Sequence, residues 1–146
     1  MDKKTRSQIM EEARDFLNAE YHWHCSEGIF KAVGAYYLNE INPQSLRMTT
    51  PFAGGIGSTY DALCGALSGG IMMIGAIHGR IDAKVNDDHC MELAKMYRER
   101  FIARFGCARC GDLREEWGEG LLNGTCADLV AEAAGLLVDV LEEGNN

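Results

Sequence analysis

Proline is scarce in this chain: Pro43 and Pro51 are the only two among 146 residues, and they stand close together. The rest of the sequence therefore has no proline to break a helix. Alternation of polar and apolar residues is nearly absent, which argues against a fold built on strands. Long apolar runs are missing too. The longest, Ile71 to Ile77, is interrupted by Gly75 and falls far short of the roughly 20 residues that span a bilayer, so no membrane insertion is expected. No apolar segment follows the polar start Met1-Asp2-Lys3-Lys4-Thr5-Arg6, so no secretory signal is expected and the expected location is cytoplasmic. Basic charge is in deficit, with 14 Lys and Arg against 22 Asp and Glu and a net charge of -8. The basic residues are scattered among acids, which disfavours binding to nucleic acid.

What the chain does have is six cysteines and 17 glycines. Its length suits one domain, residues 1–146, with enough interior to fold without disulfide staples. The cysteines are thus not needed for stability.

Helical periodicity dominates, and the expected class is all-α, a bundle of about five to six helices. Thr5 and Gln8 have capping-box spacing ahead of Ile9, Ala13, Phe16 and Leu17, which predicts a first helix ending near Tyr21. A second starts at Cys25 or Ser26, carries Ile29, Phe30, Val33 and Tyr37, and stops before Asn42-Pro43. Residues 42–57 read as an irregular loop, with positive-φ positions at Gly54, Gly55 and Gly57. Ser58 and Asp61 have capping spacing, which predicts a central buried helix from about Thr59 to His78. Its glycines at 65, 69, 70 and 75 cost about 1 kcal/mol each against alanine, a loss that close approach of neighbouring helices would offset. Cys90, Leu93, Tyr97, Phe101 and Phe105 define a fourth helix that ends at Gly106. A tight turn at 107–111 precedes a short helix opened by Asp112 and Glu115. Thr125 and Asp128 open the last helix, with Cys126 and Leu129 facing inward.

A helix N-terminus favours thiolate, the reactive and metal-binding form of cysteine. Cys25 and Cys126 are expected in such places and Cys110 just before one, with Arg109 adding positive charge beside Cys107 and Cys110. Cys64 is expected two turns inside a buried helix, where its pKa would rise. Cys107 and Cys110 form the only Cys-x-x-Cys, a spacing that suits a dithiol switch or two metal ligands. It lacks the βαβ surroundings of a thioredoxin-like site, and Gly111 excludes a haem attachment pattern. Zinc is unsupported, since His22, His24, Cys25 and Cys64 supply no second close pair. His22 and His24, at a helix end, read as solvated, Cys90 as a small core residue, and the methionines as core filler. Gly54-Gly55-x-Gly57 could cradle an anion, but no strand precedes it and no phosphate-loop lysine follows.

The order of Cys25, Cys64-Gly65-Ala66-x-x-Gly69, Cys110 and Cys126 resembles the C_GCAxxG_C_C family of redox-active proteins. Phe52-Ala53-Gly54-Gly55-Ile56-Gly57 resembles its glycine-rich loop, with Ala53 in place of a frequent glycine, and Ser68-Gly69-Gly70-Ile71-Met72 its continuation. The resemblance implies that Cys25, Cys64, Cys110 and Cys126 are the characteristic set, Cys90 and Cys107 extras, and the fold small and helical. It implies thiol-disulfide or electron-transfer chemistry with a redox partner. In the thiol form, which needs no cofactor, Cys25 or Cys110 would attack and Cys64 or Cys126 would resolve. A related domain in split-Soret cytochromes carries an iron-sulfur centre, so the alternative is a metal or iron-sulfur cluster on the same four cysteines. A second alternative is a helical interaction module whose cysteines only pack. Exposed apolar helix faces leave a homodimer open.

Overall fold

A computed structural model describes residues 1–118, 121 and 124–145. Among them the backbone forms seven α-helices: α1 (Lys3–Asn18), α2 (Cys25–Tyr37), α3 (Pro43–Thr49), α4 (Gly65–His78), α5 (Asp88–Phe105), α6 (Cys110–Trp117) and α7 (Ala127–Gly144), with a short 3-10 helix at Thr50–Phe52. The all-α expectation holds, with more helices than the five to six expected. Within the described residues no helix is long and apolar enough to cross a membrane.

Two boundaries differ because side-chain caps act earlier than the pattern suggested. The Asp2 carboxylate accepts the Thr5 N–H at 2.7 Å and opens α1 ahead of the Thr5–Gln8 spacing, and the helix ends at Asn18, short of Tyr21. The expected loop at 42–57 is part helix. Asn42 accepts the Gln44 N–H at 2.8 Å, and Pro43 occupies the first turn of α3, where its missing N–H costs nothing.

The larger correction concerns α4, which starts at Gly65, six residues after the expected Thr59. The backbone from Gly54 to Ser58 is left-handed throughout, with φ of 61, 66, 69, 58 and 58°, and Tyr60 follows at 64°. A left-handed turn cannot run on into a right-handed helix, so the capping spacing of Ser58 and Asp61 goes unused. The chain after it runs alongside residues 108–111. Cys64 N–H donates to Ala108 O at 2.8 Å, Cys110 N–H to Ala62 O at 2.9 Å, and Gly111 N–H to Tyr60 O at 2.8 Å, around an antiparallel bridge between Leu63 and Arg109.

Helix α7 packs on α1, α2, α4 and α5 through Leu129, Val130, Ala133, Leu137 and Leu141. Helix α4, expected to be the central one, packs on α2, α3, the 3-10 helix, α5 and α7 and is buried over Gly65–Gly70 and at Met73 and Ile74, while Gly75 is exposed. The expected close approach is found where α4 is buried: Gly69 lies on the Ser26 backbone of α2 and Gly70 beneath the Tyr97 ring of α5. Gly75 faces open space.

Candidate functional site

Cys25, Cys64, Cys110 and Cys126 line one cavity of about 330 Å³. Each stands at the start of a different helix. Cys25 is the first residue of α2 and Cys110 the first of α6, whereas Cys64 and Cys126 are the capping residues immediately before α4 and α7. Cys64 is thus not two turns inside a helix as expected. The late start of α4 moves it to a helix end. Cys126 takes the capping position expected of Thr125, whose hydroxyl instead approaches the Asn18 side-chain oxygen at 3.5 Å.

Among the described residues the cavity lining carries no carboxylate. Besides the sulfurs its lining includes the apolar Leu17, Trp23, Leu113 and Leu129 and the cationic Arg114. Helix N-termini add partial positive charge, so the site favours negative groups. Close packing builds it. A methyl group at Gly65 would overlap the Cys25 sulfur, and one at Gly55 would stand 2.6 Å from Cys110 Cβ, so glycine at both positions lets backbone approach sulfur-bearing residues.

Burial nevertheless governs the thiols. Cys64 and Cys110 are each 6% exposed. Desolvation, reinforced by the neighbouring Cys25, pushes Cys64 well above the usual thiol value. The same two causes push Cys110 up to about 11, against the opposing charges of Arg114 and Arg109. Desolvation also raises Cys25, although the N–H groups of Gly54, Ser26 and Gly65 favour its ionised form. Cys126 is raised by burial and by Cys25, with Arg114 pulling the other way. The expectation that helix N-termini would depress Cys25, Cys110 and Cys126 is corrected: removal from water outweighs the amides. Arg109 offsets this only in part at Cys110, and its guanidinium is bound to Asp61 at 3.0 Å and Asp112 at 2.9 Å.

Cys107 does not line the cavity, and burial raises its thiol as well, so the Cys-x-x-Cys pair is split between the site and its outside. Cys90 packs half-buried against the core from α5, as expected of a small apolar residue. His22 and His24 are exposed, as expected, yet both line the cavity with Trp23. Sequence reasoning missed Arg114 and Tyr60 in the lining. The signal for Arg114 was its position four residues after Cys110, which puts both on one face of α6.

Among the described residues no three His, Cys, Asp or Glu side chains are grouped so as to hold a metal ion directly. The sulfurs surround a volume, not a point, and a multi-iron core with its own bridging sulfides would occupy a volume. Four cysteines are the usual ligand set of two-iron and four-iron clusters. Four cysteines around one cavity are a donor set that fits such a cluster.

No curated protein and no solved structure matches the chain. Residues 23–140 match the family model described as "Putative redox-active protein (C_GCAxxG_C_C)", a span that includes all four cavity cysteines. With most of its length matched, the chain belongs to the C_GCAxxG_C_C family.

Proposed function

We propose that this is a redox protein in which Cys25, Cys64, Cys110 and Cys126 act as one set, holding an iron-sulfur cluster for electron transfer. One observation carries the reading: four cysteines from four helix starts line a single cavity. Buried thiols that hold their protons are poor nucleophiles at neutral pH, but a bound metal removes those protons outright. One-electron exchange is the chemistry such a cluster supplies when bound. The protein's part is to hold the four sulfurs, to offer N–H groups such as those of Gly54, Ser26 and Gly65 to Cys25, and to exclude water with Leu17, Trp23, Leu113 and Leu129. Hydrogen bonds to the sulfurs and low solvent exposure are the means by which a protein sets the potential of such a centre.

A second reading, thiol-disulfide cycling, is favoured by the seating of the Cys25 sulfur against Gly65, the residue next to Cys64. The Cys25 thiolate would attack a partner disulfide and release one partner thiol, and Cys64 would then attack the Cys25–partner mixed disulfide, joining the two sulfurs and releasing the second partner thiol.

Anaerobic purification tests both. Brown protein with broad visible absorption, iron and acid-labile sulfide is expected, with Ser variants of the four cysteines colourless and Cys90→Ser unaffected. A folded preparation free of colour and metal would sink the cluster reading. In that event, loss of two of the six thiols on oxidation, with Cys25 and Cys64 joined, supports cycling. An unchanged thiol count overturns both readings.

A further inference from the structure

Among the described residues, Arg114 is the only permanently charged one lining the four-cysteine cavity. Among the described residues Arg6, Arg14, Arg80, Arg100, Arg104 and Arg109 form ion pairs with carboxylates; the exposed Arg47 and Arg98 form none, and neither does Arg114. It is half-buried, and its guanidinium carbon lies 4.5 Å from the centroid of the Tyr60 ring. Stacking on an aromatic face orients a guanidinium but does not neutralise it. A half-buried cation with no counter-charge costs free energy unless an anion completes it. The groups in the same cavity able to become negative are the sulfurs, with Cys110 one helical turn before Arg114 and Cys126 across from it.

We infer that Arg114 is the positioning charge of the sulfur site: braced by Tyr60, it faces Cys110 and Cys126 and favours the more negative redox state. This rests on the four-cysteine redox reading above. Reduction of a cluster adds one electron with no ligand lost. Reduction of a disulfide adds two electrons and breaks the S–S bond, with protons taken from solvent. In both, the electrons come from an external donor, and reduction increases the negative charge that the site is prepared to carry or lets thiolates form. Arg114 therefore raises the reduction potential of a cluster, and that of a disulfide wherever the thiols formed ionise.

The test is a mediator-buffered redox titration of the purified protein, Arg114→Gln and Arg114→Lys, with far-UV circular dichroism to verify folding. Arg114→Gln is expected to shift the redox equilibrium about tenfold towards oxidation, a midpoint lowered by about 59 mV for a one-electron cluster, or about 30 mV for a disulfide titrated at alkaline pH, where the thiols formed ionise. Arg114→Lys, which keeps the charge and loses the planar stack, should recover most of that shift. A second measurement follows iodoacetamide labelling of Cys126 at neutral pH in reduced, metal-free protein, located by mass spectrometry. It should slow about tenfold in Arg114→Gln and much less in Arg114→Lys. Potentials and labelling rates equal to wild type in a folded Arg114→Gln would overturn the inference. Absence of any redox couple would overturn the four-cysteine reading instead, while the labelling rates still decide the role of Arg114.

Discussion

At Gly65 a methyl group would overlap the Cys25 sulfur and press on the Ser26 backbone nitrogen at 3.1 Å, and backbone cannot swing aside as a long side chain can. Gly65→Ala should therefore destabilise the protein by about 1–3 kcal/mol and displace Cys25 from the cavity. Gly75→Ala, with nothing near its position, should instead stabilise α4 by about 0.5–1 kcal/mol. Urea unfolding of the two variants checks both signs. The thiols give a second expectation at this scale. Cys110 has a pKa raised to about 11 from an ordinary 9.0, so between these values the unfolded chain loses the proton while the folded protein keeps it. Stability is then fully present below about pH 9 and falls as pH rises towards 11, because the native state binds more protons. Cys64 acts in the same direction. Denaturant midpoints of reduced, metal-free protein across this range should decline, and Cys110→Ala should make the decline shallower.

Among the elements, the left-handed turn at 54–58 shows how far local signals reach. Gly54, Gly55 and Gly57 were legible as positive-φ positions, since glycine adopts them without penalty. Ile56, Ser58 and Tyr60 were not, because side chains rarely sit there and nothing local marks them. The capping spacing of Ser58 and Asp61 therefore looked like a helix start, and Cys64 was misplaced along with it. By contrast the start of α2 was legible from its apolar stripe, and Cys25 fell where expected. Ile56 is 50% exposed at a φ of 69°, so little burial offsets its strain. Ile56→Gly or Ile56→Asn should raise stability by about 1 kcal/mol, read as a higher urea midpoint. A drop would mean that the isoleucine side chain packs more tightly than its exposure implies.

Across the whole molecule, helix content and the apolar stripes were open to sequence reasoning because they follow a period, whereas the convergence of four distant cysteines has no period to detect. The family resemblance named the set, and the fold places its members on one cavity. Thiol ionisation was misjudged for a related reason. A helix start can be read locally, but burial depends on which other helices arrive. The contact between residues 60–64 and 108–111 has a further consequence. It closes α4, the exposed 79–87 segment and α5 into a loop pinned at its base, while α1 and α7 pack along each other elsewhere. A cut after Lys84 in that segment should leave two fragments associated, which size-exclusion chromatography after limited trypsin treatment would reveal as unchanged elution. One fragment would hold Cys25 and Cys64, the other Cys110 and Cys126. The sulfur site is thus a joint between two halves of the chain, with each half supplying two of its four corners.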